Sequence, residues 1–155
     1  MNKIRYVIVG ISLTVGLVLN SAWALDISAQ KDRQEALSER GFCEKRLHGE
    51  LFSRTELFFG LSRSNGPDVT EEEFQHFVDT EVTPRFPDGL TLLTGTGQFK
   101  DSTGTIIQEG SKLLILLYPF NQKSNRAAEQ IREAYKDTFQ QESVLRVDEQ
   151  SCVSF

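Results

Sequence analysis

The pattern of apolar and polar residues predicts two long helices and four strands. Residues 70–73 form a capping box, and the apolar residues that follow at i, i+3, i+4 and i+8 share one helical face until Pro84 ends the helix. A second helix with one apolar face is expected from about Ala127 to Gln141. Apolar and aromatic runs bounded by turn residues predict strands at 51–61, 90–99, 105–118 and 143–147, with an exposed tail after the last strand.

The order of these elements indicates an α+β fold. After a polar stretch at 26–40, read as a short helix that Gly41 ends, the order is βαββαβ. This order is that of the ferredoxin-like fold, a four-stranded antiparallel sheet with two helices on one face. All residues at 113–118 are apolar, so both faces of the third strand need a cover. We expect a homodimer packed through the open sheet face, with the 26–40 helix as the alternative cover.

The first 24 residues have the pattern of a cleavable signal peptide. Two early cations precede an apolar run of 14 residues, and Ala24 and Leu25 flank a site with small residues at −3 and −1. An uncleaved membrane anchor is the alternative, although a spanning helix needs about 20 apolar residues. We therefore expect a signal peptide at 1–24, a helical preamble at 25–50 and one domain at 51–155. The mature protein is then periplasmic or secreted, with no stable membrane insertion.

Charge restricts the partners of such a protein. Without Lys3 and Arg5, 15 basic and 22 acidic residues remain, a formal charge of −7. An acidic surface repels phosphate backbones and anionic lipids, so nucleic acid is not an expected partner. The partner is expected to be an unknown protein or a small molecule.

Cys43 and Cys152 are the only cysteines, and they lie near opposite ends of the mature chain. Export places them where disulfides persist, so we predict a bridge between them. Two unpaired buried thiols are the alternative.

Candidate binding residues fall in one loop and on several strands. The loop at 85–89 combines Arg85, able to hold a carboxylate, with Asp88 in a Pro/Gly turn; the alternative is a turn whose arginine pairs with a nearby acid. A polar cluster on the open sheet face is a second hypothesis, with cross-strand ion pairs as the alternative. Its members are Glu56, Gln98, Glu109, Lys112 and Arg146.

No catalytic, metal or cofactor motif is recognised. Neither His48 nor His76 has a second ligand at metal spacing, and His76 falls on the solvent side of its helix. The glycines at 95 and 97 lie inside a predicted strand and precede no helix, which argues against a phosphate loop. We therefore expect no catalytic residues, no metal and no cofactor.

Several separated segments resemble one family. The segments 56–61, 83–91, 111–112, 143–147 and 152–155 are similar, in that order, to the bacterial family called domain of unknown function 3574. The resemblance runs from about Leu51 to the C-terminus and implies a small exported or lipid-anchored protein. The chain lacks the lipobox cysteine of lipid-anchored members, and Phe99 stands where a tryptophan is expected.

The sequence favours a non-enzymatic binding or interaction module. A small enzyme of the dimeric ferredoxin-like barrel type, using side chains such as Arg85, Glu109 and Lys112, is one alternative. A structural envelope protein is another.

Overall fold

A computed structural model describes residues 15–63, 65–100 and 103–155. The chain divides into two compact units, 1–48 and 49–155, which are described separately. In the first unit, residues Val15–Arg46 form one helix, α1. The predicted short helix capped by Gly41 is therefore wrong in extent, because one glycine costs a helix interior only about 1 kcal/mol relative to alanine. The charged start of the predicted signal peptide lies outside the described residues, and its cleavage before Leu25 stays a prediction.

The second unit is an α+β domain. Helix α2 (Glu71–Phe77) continues directly into a π-helical turn (Val78–Val82), called here the π segment. The remaining elements follow the predicted order. In chain order they are β1 (Glu50–Gly60), α2 (Glu71–Phe77), the π segment (Val78–Val82), β2 (Thr91–Lys100), β3 (Ile106–Tyr118), α3 (Gln122–Phe139) and β4 (Leu145–Val153).

The four strands form one antiparallel sheet in the order β2-β3-β1-β4. Leu57 of β1 lies opposite Leu114 of β3 on one side and Arg146 of β4 on the other. The strand end predicted at residue 147 is wrong, because β4 stays paired to β1 as far as Val153, opposite Glu50, although most side chains after 147 are exposed as expected. Backbone pairing holds this polar segment in the sheet although its side chains gave no strand pattern.

The core lies between the sheet and the two helices of this unit. Tyr135 is at its centre: its ring centroid lies 4.5 Å from that of Phe59, 4.8 Å from Phe139 and 5.2 Å from Phe77. Its hydroxyl donates to the carbonyl of Gly60 at 2.8 Å. Fully burying one such side chain contributes about 1.5–3 kcal/mol, so this aromatic cluster is a main source of stability.

Side-chain caps fix where the helices begin. The predicted capping box is present: Thr70 Oγ1 accepts from the amide of Glu73 at 3.2 Å, and the Glu73 carboxylate accepts from the amide of Thr70 at 2.9 Å. Asn121 caps α3 by accepting from the amide of Ser124 at 2.8 Å. Each cap satisfies amides that have no partner within the helix.

Cys43 and Cys152 are disulfide-bonded, as predicted. Since they are the only cysteines of the chain, the bridge joins them to each other. Within the described residues, no helix combines the length and the apolar character that a membrane crossing requires.

Candidate functional site

A cavity of about 530 Å³ opens between α2 with its π segment and the C-terminal end of α3. We call it the α2–α3 groove. Its volume falls in the range of about 300–1,000 Å³ that is typical of small-molecule sites. The polar residues that line it and carry the argument below are Arg63, Glu73, His76, Thr80, Glu81 and Gln140.

The helix on one side of the groove turns the same face toward it along its whole length. Its lining residues lie at 73, 76, 77, 80 and 81, which is helical spacing. The last two belong to the π segment, where the amide of Thr83 donates to the carbonyl of Val78 at 2.9 Å, five residues back. Such turns make up well under 1% of residues and are frequent at functional sites. The π segment therefore marks this groove as a candidate site.

The floor of the groove is aromatic and its far wall ends in a strained residue. Phe77 and Phe139 are buried there with ring centroids 5.8 Å apart. Gln140, which ends α3, has φ 56°, a left-handed conformation that costs a residue other than glycine roughly 1–2 kcal/mol. Backbone strain of this kind concentrates at functional sites.

Arg63 is the fixed cation of the groove. Its Nη2 donates to Glu73 Oε1 at 2.7 Å, and its guanidinium carbon lies 5.5 Å from the centroid of the Phe139 ring. The hydrogen bond from Arg63, followed by that from the Thr70 amide, lowers the pKa of Glu73 below its ordinary value. Glu73 is thus ionised at neutral pH, and the guanidinium is held between a carboxylate and an aromatic face.

The other end of the groove carries a second carboxylate. Glu81 Oε2 accepts from Arg85 Nη1 at 2.8 Å, and the same nitrogen donates to the Glu81 carbonyl at 2.6 Å. Between the two ends lies His76, whose side chain is exposed as its helical position predicted. The groove therefore presents the Arg63–Glu73 pair at one end, the Glu81 carboxylate at the other and an imidazole between them.

Of the two candidate binding residues in the loop at 85–89, Arg85 has a structural role. Arg85 pairs with Glu81, which is the alternative reading of this residue. Asp88 is exposed, and the loop anchors itself through Phe86, whose ring lies 5.0 Å from that of Tyr118. Arg85 touches the groove only through its partner Glu81.

The strand candidates are not brought together. Glu56 and Glu109 point to the open sheet face, where Glu56 accepts from Arg54 and Glu109 from the Ser62 amide at 3.4 Å. Gln98 accepts from Gln108 at 2.7 Å. Lys112 and Arg146 point to the helix-covered face, because their strand positions have the opposite parity.

Lys112 is nearly fully buried. Its ammonium donates to Glu71 Oε2 at 2.5 Å and to Thr94 Oγ1 at 2.8 Å, and it lies 5.7 Å from the centroid of the Phe74 ring. These contacts satisfy the charge, so the lysine ties the start of α2 to the sheet.

Arg146 organises a polar network at the β4 edge. It donates to Asp148 at 2.9 Å and to Glu129 at 2.5 Å. Asp148 also accepts from Thr55 at 2.7 Å, so the Tyr118 hydroxyl, 2.7 Å from Thr55 Oγ1, donates to that oxygen. Burial opposes ionisation of Asp148, but the hydrogen bonds from Arg146 and Thr55 outweigh it and hold the pKa of Asp148 below its ordinary value.

Sequence reasoning missed the α2–α3 groove. Glu73 was assigned only to the helix cap, and Arg63, which follows β1, was given no role. The available signal was the polar stripe at 73, 76, 80 and 81 beside the apolar helical face. In the part of the chain that the structure describes, no three His, Cys, Asp or Glu side chains are grouped to hold a metal.

Residues 54–155 match the model of one protein family, described as protein of unknown function (DUF3574). The chain belongs to this family. The family match covers the whole sheet except the first residues of β1, together with α2, the π segment and α3. No curated protein sequence matches the chain.

Two solved structures are similar in fold. A phage SAM lyase in complex with S-methyl-5'-thioadenosine has a TM-score of 0.53 at 14% identity, over 67% of this chain and 90% of the lyase chain. The apo state of a phage SAM lyase has a TM-score of 0.48 at 16% identity, over 66% and 90% of the two chains. The first likeness supports the α+β fold with its four-stranded antiparallel sheet.

Proposed function

We propose that this member of the family is an exported binding module that holds a small molecule in the α2–α3 groove. The observation that carries the proposal is the groove itself, a cavity of about 530 Å³ in which a positioned guanidinium, an imidazole and a carboxylate face an aromatic floor. A few polar groups over an apolar floor are typical of ligand sites. The π segment and the left-handed Gln140 lie in the walls of the same groove.

The charges of the groove favour an amphoteric ligand. Arg63, next to Glu73, suits a carboxylate, and Glu81 suits an ammonium. Glu73 and Glu81 are eight residues apart on one helical segment, about 12 Å along its axis at ~1.5 Å per residue. A dipeptide, with an amine at one end and a carboxylate at the other, spans about 7 Å at ~3.5 Å per residue, and a hydrogen bond of about 2.9 Å at each end brings the total to about 13 Å, close to this separation. The ligand carboxylate replaces Glu73 as a partner of Arg63 or shares the guanidinium with it.

Three features support the wider setting. The N-terminal pattern of 1–24 and the Cys43–Cys152 disulfide favour a location outside the reducing cytoplasm. The order βαββαβ and the sheet order β2-β3-β1-β4 favour assignment to the ferredoxin-like fold. Mass spectrometry of the exported protein tests the first point, since cleavage leaves Leu25 as the N-terminal residue.

Calorimetric titration with the dipeptide Gly-Phe tests the binding site. We expect saturable binding that weakens at least about tenfold in Arg63→Gln, the change that corresponds to about 1.4 kcal/mol. The matched control is Arg126→Gln, since Arg126 is exposed on α3 and does not line the groove. N-acetyl-Gly-Phe and Gly-Phe amide, which each lack one charge, are expected to bind more weakly than the parent. Equal affinity for all three peptides, or no effect of Arg63→Gln, contradicts the proposal.

A small-molecule enzyme is the second candidate function. The fold likeness to the phage SAM lyase favours testing it, and S-adenosylmethionine is itself amphoteric. The test is incubation of the purified protein with S-adenosylmethionine and chromatographic detection of S-methyl-5'-thioadenosine. Product formation above a protein-free control would make the protein a lyase, and its absence leaves the binding module.

A further inference from the structure

The sheet face opposite α2 and α3 carries a continuous apolar band. Leu145, Phe58, Leu113 and Leu93 lie side by side across β4, β1, β3 and β2, because each is the register partner of the next. Leu145 is 60% exposed and Leu93 is 50% exposed, so both outer members of the band face solvent. Four large apolar side chains in one row across a sheet are unusual for a surface that water covers.

The apolar character extends beyond this band. In the next row Val147 and Ile115 flank Glu56, and in the row after it Leu117 lies beside Arg54. Val147 and Leu117 are each 43% exposed. The open face therefore combines one fully apolar row with two rows in which apolar side chains lie beside charged ones.

The charged residues of the patch are already paired with one another. Arg54 donates to Glu56 from Nε at 3.0 Å and from Nη2 at 2.5 Å, and its Nε lies 3.4 Å from Glu149 Oε1. A partner that covers these rows therefore buries Arg54 and Glu56 as a pair and not as isolated charges, which would be costly. The whole chain is acidic, with a formal charge of −5, so the contact between two copies depends on the apolar side chains of this face and not on its charges.

The size of the face is sufficient for a specific dimer. Four strands about 4.8 Å apart and about ten residues long at ~3.3 Å each give roughly 600 Å² per copy. Two copies thus bury about 1,200 Å², the lower end of the range for specific interfaces. A self-complementary patch of this kind fits a two-fold axis, on which each copy presents the same surface.

We propose that the open sheet face binds a second copy of this chain, so that the protein is a dimer with its two sheets packed face to face. The α2–α3 groove lies on the helix side of the sheet, so both copies keep their grooves accessible. Dimerisation is thus separate from ligand binding, and either proposal stands if the other fails.

Light scattering coupled to size exclusion, on protein exported with its own N-terminal segment, measures the oligomeric state. We expect twice the chain mass at micromolar concentration. Leu113→Glu places a charge in the middle of the band, between Phe58 and Leu93, once from each copy, and is expected to raise the dimer dissociation constant on the order of 100-fold. The matched control is Ile106→Glu on the same strand, because Ile106 is 63% exposed but points to the opposite face.

One control measurement and one alternative variant make the result interpretable. Circular dichroism shows whether Leu113→Glu still folds, and if it does not, Leu145→Glu at the outer edge of the band replaces it. The proposal is overturned by a wild-type protein that stays monomeric at all concentrations, whatever else then covers the face. It is also overturned if both glutamate variants of the band remain dimers as tight as Ile106→Glu.

Discussion

Replacement of Tyr135 by phenylalanine tests the account of the core, because it removes one oxygen from the centre of the aromatic cluster. Tyr135 is fully buried, and its hydroxyl donates to the Gly60 carbonyl at 2.8 Å. The change keeps the ring contacts with Phe59, Phe77 and Phe139. A buried hydrogen bond contributes about 0.5–1.5 kcal/mol net, so we expect Tyr135→Phe to lower the free energy of unfolding at pH 7 by about 1 kcal/mol.

The pH dependence of this difference is the sharper test. Burial raises the pKa of Tyr135 above the ordinary tyrosine value of about 10. The folded state therefore holds its proton where the unfolded state loses it, and the stability from this group is complete below pH ~10 and lost as pH rises above it. The slope is about 1.4 kcal/mol per pH unit for one group. Tyr135→Phe lacks this group, so wild type and variant should be about equally stable near pH 11.

Urea unfolding followed by far-UV circular dichroism at pH 7, 9, 10 and 11 measures both effects. Lysines and other tyrosines contribute equally to the two proteins, so only the difference between their free energies of unfolding is interpreted. Two curves that fall in parallel from pH 9 to 11 would refute the reasoning, since the Tyr135 hydroxyl would then titrate alike in the folded and unfolded states.

Three further predictions concern the bridge and the polar edge of the sheet. The double variant Cys43→Ser with Cys152→Ser opens a covalent loop of about 110 residues, and the chain-entropy model predicts that the free energy of unfolding falls by about 4–5 kcal/mol. Urea unfolding against the oxidised wild type measures the loss, and a loss below about 1 kcal/mol contradicts the prediction. Gly49→Ala should destabilise the protein in a thermal melt, because the added Cβ would lie 2.8 Å from Sγ of Cys152 and 2.6 Å from a backbone oxygen of β4; an unchanged melting temperature argues against this packing. The lowered pKa of Asp148 adds stability above the ordinary carboxyl pKa near 4, and this stability is lost as the pH falls further. Arg146→Met should therefore weaken the acid dependence of the free energy of unfolding. An unchanged slope of this free energy between pH 6 and 3 would contradict the role of the network.

Local signals in the sequence were sufficient for most of the fold. The capping box at 70–73 and the helical spacing after it fix α2, and the two-sided apolar run at 113–118 identifies a central strand with a second face to cover. The disulfide was predicted from two cysteines in a chain whose first residues indicate export. These features depend on neighbouring residues or on composition, which the sequence displays directly.

The missed features depend on contacts between distant residues. Residues 148–153 join the sheet through backbone pairing with β1, which no side-chain alternation announces. Lys112 and Arg146 were assigned to the open face, but strand register decides the face, and a shift by one residue reverses it. The groove forms where Arg63 contacts the end of α3. Predicting it would have needed this contact between Arg63 and Phe139, which lie 76 positions apart in the sequence.

The π segment has a consequence for how the groove can change over time. A π turn holds one residue more than an α turn, so a single inserted codon in a plain helix creates it and a single deletion erases it. Loss of one residue within Val78–Val82 would turn this segment into a regular α-helix of 3.6 residues per turn, so the residues after it would keep their place while those inside it would shift around the helix. Thr80 and Glu81 would then lose their present position in the groove while Glu73 and His76 stayed in place. Relatives with the same fold but one residue fewer here are thus expected to lack the amine-binding end that we propose for this groove.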